Sequence, residues 1–196
     1  MRTLLRPSLV FIALMTLILG VIYPAAVTGI SQVVWPFQAN GSLVTDTAGQ
    51  VRGSALLGQA FSAPGYLWSR PSATAPAYNG AASGGSNLGP TNPALVDGIK
   101  ERIATLQASD STATAPVPVD LVTTSGSGLD PHISPAAAAW QVSRIARARS
   151  LDPVEVRRVI EANTAPRFLG FIGERRVNVL QVNLALDHLT PSAGMK

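Results

Sequence analysis

Between Arg6 and Asp46 the chain carries no side chain that is charged at neutral pH. Inside that interval, Leu9–Thr28 reads LVFIALMTLILGVIYPAAVT. A helix rises about 1.5 Å per residue, so a bilayer core about 30 Å thick takes roughly 20 apolar residues to cross. The stretch meets that requirement, and residues 1–30 read as a cytoplasmic N-terminus with a transmembrane anchor. Leu9–Ile22 alone is short. The helix is therefore expected to start near Pro7 or to run past Tyr23-Pro24 into Ala25-Ala26-Val27. Pro7 suits a first turn, where its missing N–H has no partner in any case. Pro24 removes a backbone bond near the far end and is expected to bend or end the helix.

The flanks orient the anchor. Arg2 and Arg6 precede it, and no Lys or Arg follows before Arg52. Positive residues stay on the cytoplasmic side, which puts the N-terminus inside and everything beyond about residue 31 outside. Tyr23 and Trp35 suit the outer interface. The alternative is a cleaved signal peptide, with Arg2 and Arg6 as its basic region and processing at Val27-Thr28-Gly29. Both readings export the remainder. Ala13, Thr16 and Gly20 fall on one side of the helix. Small residues there let a second helix approach closely, so these three are candidate partner contacts.

Roughly 150 residues remain, enough for one soluble domain with its own core. There is no Cys, which excludes disulfides, a thiol nucleophile and Cys-ligated metals. With two His, a His-rich metal site is excluded too. The net charge of +4 falls to +2 without Arg2 and Arg6, too little to suggest nucleic-acid binding.

The fold class reads as α+β: one transmembrane helix followed by a single mixed helix/strand extracytoplasmic domain. Residues 31–50 form a junction with a turn signal at Asn40-Gly41-Ser42. Residues 51–190 form the domain and 191–196 a C-terminal tail. Ala55-Leu56-Leu57 and Tyr66-Leu67-Trp68 suggest short strands, or a strand and a turn. Residues 72–92 are rich in Ala, Gly, Ser, Asn and Pro. They form a long irregular loop of the kind that is often functional. Asn92-Pro93 starts a helix to about Ala108, with Val96, Ile99, Ile103 and Leu106 on one stripe. Val117–Thr123 reads as a strand. Ser134-Pro135 starts a second helix reaching about Arg149, and Asp152-Pro153 a third. Thr164–Glu174 reads as a loop with apolar insertions, Phe168-Leu169 and Phe171-Ile172. Asn178–Leu189 reads as a final helix.

Three groups of residues bear on chemistry. The loop Ser83-Gly84-Gly85-Ser86-Asn87-Leu88-Gly89 has the backbone freedom to cradle an anion. It lacks the ending of a phosphate loop, so a tight exposed turn is the plainer reading against nucleotide binding. Ser125, Ser127, Asp130 and His132 are the residue types of an exported serine-type hydrolase. Sequence neighbours separated by Pro131 do not by themselves place a base about 3 Å from a nucleophile, and Asp130 and His132 are as well suited to fixing the approach to Ser134. Arg144, Arg147 and Arg149, with Arg157 and Arg158, read as a solvated helix surface or as a patch for an acidic partner.

Several strings occur in a telling order. Gly53-Ser54, Leu57-Gly58-Gln59 and Phe61 come first, then Arg70-Pro71-Ser72 and Tyr78-Asn79. Ser83-Gly84-Gly85-Ser86-Asn87-Leu88 precedes Asn92-Pro93. Val117-Pro118, Asp120-Leu121-Val122, the run SGSGLDPHISP over 125–135, and Arg175–Leu180 complete the series. After one N-terminal membrane segment, this series resembles the KdpC family, the C subunits of Kdp potassium-transporting ATPases. Arg175, where Pro is often found, and Trp68-Ser69, where Phe and a small residue are usual, depart from the pattern.

The resemblance implies a complex of the inner (plasma) membrane with four subunits. A channel-like A subunit selects potassium, a P-type ATPase B subunit hydrolyses ATP, and a small F subunit lies beside them. The C subunit is an accessory, needed for assembly and activity. The family is described as a catalytic chaperone that raises the ATP affinity of the B subunit. ATP, magnesium and potassium would be handled by the partners, leaving no cofactor, metal or catalytic residue here. The resemblance also favours a retained anchor. Because the nucleotide domain is cytoplasmic and this domain is read as outside, an effect on ATP has to be allosteric. An exported domain is also placed to sit over the potassium entrance of the A subunit. The candidate partner contacts in the domain are Arg70, Ser83, Gly84, Gly85, Ser86, Asn87, Asp130 and His132.

Overall fold

The computed structural model describes residues 2–189, so Thr190 and the 191–196 tail lie outside the described residues. The chain divides into two compact units, the first ending at Leu43 and the second beginning at Val44.

In the first unit, helix α1 (Arg2–Leu17) passes through one π turn (Ile18–Ile22) into α2 (Tyr23–Val34), followed by the short α3 (Pro36–Ala39). Leu4–Val34 is a continuous helix of 31 residues whose most apolar 18-residue stretch has mean hydropathy 2.4, long and apolar enough to cross a membrane. At 1.5 Å per residue it is about 46 Å long, more than a bilayer core requires. Pro7 lies inside α1 and does not open it, which corrects one expectation. The other alternative holds: the helix runs on past Tyr23-Pro24, so Pro24 does not end it. Pro24 has no N–H to donate, and its ring crowds the carbonyl four residues back. The turn before it widens instead, with the Tyr23 N–H donating to the carbonyl of Ile18, five residues back. Such a π turn lets a helix continue past a proline.

In the second unit, β1 (Leu43–Thr45) and β2 (Val51–Ser54) form a two-stranded sheet, and α4 (Pro93–Ser109) follows the long loop. A 3₁₀ turn (Val119–Leu121) leads to β3 (His132–Ile133), α5 (Pro135–Trp140), α6 (Val142–Arg149), α7 (Pro153–Ala162), β4 (Thr164–Ala165), β5 (Arg176–Asn178) and α8 (Val179–Asp187). β5 is central in an antiparallel sheet of order β3-β5-β4, with His132 opposite Asn178 and Ile133 opposite Val177. On the other side Thr164 faces Val177 and Ala165 faces Arg176. The helices cover this small sheet. Their core contains Ile145, Val156, Val177, Val182 and Leu186, all buried.

The helix starts agree with the capping signals. Asn92 accepts a bond from the Ala94 N–H at 2.9 Å, Ser134 from Ala137 at 3.0 Å and Asp152 from Val154 at 2.7 Å. Each satisfies a donor that the first turn leaves open. The second helix is not continuous to Arg149, because it breaks at Gln141 into α5 and α6. Leu106 is buried and Ile99 and Ile103 pack on the core, while Val96 is exposed.

The strands differ more from expectation. Val117–Thr123 holds no strand but a 3₁₀ turn at Val119–Leu121, the strand near residue 55 ends at Ser54, and Tyr66-Leu67-Trp68 belongs to no sheet. Leu67 is nonetheless fully buried. Its N–H donates to Asn183 Oδ1 at 2.7 Å and its carbonyl accepts from Asn183 Nδ2 at 3.0 Å. Gln141 treats Trp68 the same way, accepting from its N–H at 2.8 Å and donating to its carbonyl at 3.1 Å. Two buried amides thus replace the ladder that an extended segment otherwise takes from a neighbouring strand.

The reading of the arginines as a solvated helix surface is corrected for Arg144. Arg144 is buried, stacks over Trp68 with its guanidinium carbon 4.0 Å from the ring centroid, and donates to the carbonyls of Pro64 at 2.6 Å and Tyr66 at 3.1 Å. Burial lowers its pKa to about 10 while Asp110 holds it up, so it stays charged at neutral pH. Arg147 pairs with the buried Asp110 at 2.5 Å and Arg149 with Asp187 at 2.7 Å. Arg147, Arg157 and Arg158 are exposed and Arg149 is half-buried. Arg144, Arg147 and Arg149 act as fasteners, because their long side chains reach carbonyls and carboxylates beside α6.

Candidate functional site

The family-like strings, distant in sequence, converge on one node around Asp130. Its Oδ1 accepts the His132 backbone N–H at 2.9 Å and lies 3.4 Å from His132 Nδ1. Its Oδ2 faces Arg70 Nη1 at 3.3 Å. Arg70 Nη2 donates to the Thr124 carbonyl at 3.2 Å, while its Nε is buried without a partner among the described residues. Burial works against the charge on Asp130. The bonds from His132 and the positive charge of Arg70 outweigh it and hold the carboxyl below the usual aspartate range.

The 72–92 loop wraps this node and packs on the SGSG run. Ser72 Oγ donates to the Gly128 carbonyl at 2.7 Å and accepts the Tyr78 N–H at 3.0 Å. Tyr78 returns its hydroxyl to the Arg70 carbonyl. The Gly84 N–H and the Ser83 hydroxyl both donate to the Ser127 carbonyl, at 2.8 and 3.1 Å. Thr124 Oγ1 reaches Ser86 Oγ at 3.3 Å. A Cβ at Gly128, whose φ is +66°, would sit 2.6 Å from the Gly84 carbonyl oxygen. One at Gly58 would sit 2.6 Å from the carbonyl oxygen of Asp130. Glycine is needed at both places because backbone passes against backbone.

These contacts decide between the chemical readings. The Gly84 amide is spent on Ser127, and Gly85 lies against Gly126, so the loop works as a clasp. Ser125 Oγ accepts the Gly128 N–H at 2.9 Å and Ser127 Oγ accepts the Leu129 N–H at 3.1 Å. Among the described residues neither hydroxyl bonds to His132, so the hydrolase constellation is not assembled. Asp120, which the sequence reading passed over, holds Ser134. Its Oδ2 accepts the Ser134 N–H at 2.7 Å, and its Oδ1 the hydroxyl at 3.1 Å. Asp130 holds the His132 N–H on the approach to Ser134, and Asp120 holds Ser134 itself. The signal for Asp120 was an acid within a 3₁₀ turn, too local to point fourteen residues ahead.

A shallow cavity of about 440 Å³ opens over the node, lined among others by Arg70, Asp120, Asp130, His132 and Arg175. A larger one, about 560 Å³, lies beside Asp46, Arg52, Tyr66 and Asp187. Its charges are already matched, since Arg52 pairs with Asp46 at 2.7 Å and Arg149 with Asp187. Among the described residues no cluster of three or more His, Asp and Glu is placed to hold a metal ion. In the first unit, Ala13, Thr16 and Gly20 are exposed on the helix. The π turn leaves Thr16 Cγ2 3.9 Å from where a Gly20 Cβ would lie, so these two still share a face.

The family model of KdpC, described as "K+-transporting ATPase, c chain", matches residues 5–188. Among curated relatives, the potassium-transporting ATPase KdpC subunit of Janthinobacterium sp. (strain Marseille) is 59% identical over 188 residues, spanning 95% of this chain and 99% of that one. The KdpC subunit of Burkholderia orbicola (strain MC0-3) is 57% identical, over 95% of this chain and 97% of its own. That of Herpetosiphon aurantiacus is 56% identical, over 96% and 98%. With residues 5–188 inside the match, this chain belongs to the KdpC family of K+-transporting ATPase c chains.

Proposed function

We propose that the chain is a non-catalytic accessory subunit of a high-affinity, ATP-driven potassium import complex, required for its assembly and activity. The observation that carries this reading is the extent of the family match, which starts within the long apolar helix and ends at His188, just past α8. The helix and the domain therefore form one matched unit, which favours a retained anchor over a cleaved leader. The helix also runs unbroken through Val27-Thr28-Gly29.

The partners are a channel-like A subunit, a P-type ATPase B subunit and a small F subunit in the inner (plasma) membrane. Arg2 and Arg6 hold the N-terminus in the cytoplasm, and the domain lies outside. ATP, magnesium and potassium belong to the partners. Any rise in the ATP affinity of the B subunit is allosteric, arising from contacts that differ between the conformations of the pump. The node around Asp130, with Arg70, His132 and the Ser83–Asn87 clasp, is a shaped polar surface suited to such contacts. Ala13, Thr16 and Gly20 suit the approach of a partner helix.

Deleting the gene is expected to abolish potassium-stimulated ATPase activity while the other subunits are still made. Supplying the full chain from a plasmid should restore it. Normal high-affinity uptake in the deletion strain would refute the reading.

A further inference from the structure

Residues 167–174 fold back on themselves after β4 as a small apolar hairpin. Phe168 and Ile172 exchange both backbone bonds at 2.9 Å, and the Gly170 N–H donates to the Arg167 carbonyl at 3.1 Å. The tip displays Phe168, Leu169, Phe171 and Ile172, which are 67, 69, 73 and 50% exposed. Four large apolar side chains together on one projection are unusual for a soluble surface and mark a contact site. Its backbone is paired internally, so covering it strands few polar groups. We propose that this hairpin is a docking knob that seats in an apolar recess of another subunit of the assembly, with an acidic or carbonyl group of that subunit meeting Arg176. The inference rests on the accessory-subunit reading and adds the surface through which it acts.

Two observations select a shaped protein recess over lipid. The first is charge. Arg167 pairs with Glu174 at 2.7 Å and Arg175 pairs with Glu161, so the neck of the hairpin is nearly neutral. Only Arg176 there has no ion-pair partner among the described residues. Segments that bind anionic bilayers are rich in uncancelled Lys and Arg beside their apolar residues, and one arginine is too few. The second is shape. Leu169 is held at φ +52°, a region that a bulky L residue adopts at a cost, and is followed by Gly170 at +84° and Gly173 at +78°. A fixed presentation of side chains favours a complementary cavity, because the ordering is done before binding. A fluid surface gains nothing from it.

Because the chain has no Cys, Phe171→Cys provides a single reporter. A water-soluble maleimide is applied to the purified whole complex, to the full chain alone in detergent, and to the full chain alone in nanodiscs of phosphatidylethanolamine and phosphatidylglycerol. Labelling in the complex is expected to slow by about tenfold or more relative to the chain alone in either medium, as for a site open a tenth of the time. Equal labelling in the complex, with the subunits still co-purifying, overturns the knob and leaves the accessory role standing. Protection in nanodiscs of the chain alone overturns it in favour of lipid. Protection that grows with the concentration of the chain alone overturns it in favour of a second copy. As a second arm, Phe171→Asp is expected to weaken co-purification while amides of α6 and α8 keep wild-type hydrogen exchange. Undiminished co-purification and activity of that variant count against the proposal.

Discussion

Leu67 is buried at the centre of the domain, in an extended segment that belongs to no sheet, and Asn183 satisfies both of its backbone groups. Replacing Asn183 with Leu keeps the volume but strands a buried donor and a buried acceptor. At roughly 1–3 kcal/mol for each, Asn183→Leu is expected to destabilise the domain by about 3 kcal/mol, read as a lower denaturation midpoint in urea with an unchanged slope. Two aspartates set the response to acid. Burial opposes the charge of Asp110, but bonds from Thr112 and Arg147 and the charge of Arg147 more than offset it, so its carboxyl lies below the ordinary value of 3.8, as that of Asp130 does. A carboxyl lowered in the folded state binds fewer protons there than in the unfolded chain. The stability it contributes is complete above the ordinary aspartate value and is lost as pH falls from there through the lowered folded values. Melting temperature is expected to be flat from pH 7 towards 5 and to drop between about pH 4 and 2. Asp110→Asn should lower it at pH 7 and flatten the acid limb. A parallel downward shift at all pH values would show that Asp110 plays no part in the acid response. None of these residues announces its partner locally. Asn183 shows itself only as a polar residue between Val182 and Leu184 on an otherwise apolar helix, and Asp110 looks like the end of α4.

Helices and strands were unequally legible. A helix start is a local event, written in a cap and a proline one residue later, and Asn92, Ser134 and Asp152 all cap helices. The strands are two to four residues long, too short for an alternating pattern to declare itself. They exist because β5 finds β3 and β4 across more than forty residues of chain on one side and a ten-residue excursion on the other. The break at Gln141 was hidden for the same reason, since its amide is committed to Trp68. The loop clasp is the element whose glycine is most exacting. Gly128→Ala is expected to force the 83–87 segment off the SGSG run, because the new methyl would lie 2.6 Å from the Gly84 carbonyl oxygen and 2.8 Å from Thr74 Cγ2. Hydrogen exchange at the Gly84 amide should then rise by about a hundredfold, a loss of roughly 3 kcal/mol of local protection, while α7 and α8 keep their protection. Unchanged exchange at Gly84 would show that the clasp tolerates a side chain there.

For the whole molecule, the charge-free interval and its arginine flank lead to a topology that is directly measurable. A reporter active only outside the cytoplasm, fused after residue 50 or after residue 196, is expected to be active at both positions, and one fused before Arg6 inactive. The reverse pattern would overturn the orientation drawn from Arg2 and Arg6. What the amino-acid order determined alone was whatever depends on neighbours along the chain: an apolar helix of membrane length, the capped starts of α4, α5 and α7, and the series of strings that resembles the KdpC family. Even there, the place of Pro7 was misjudged, since it lies inside α1, and of the alternatives at Pro24 it is the continued helix, with a π turn absorbing the missing bond, that the structure holds. Only the tertiary structure decided that Arg144 lies inside against Trp68, that Asp130 binds Arg70 and His132, and that Gly84 spends its amide on Ser127. Apart from the local bond between Asp130 and His132, each of these is a contact between residues far apart in sequence. It is settled by which buried polar groups can find one another as the core closes, and no local pattern of residues encodes that outcome.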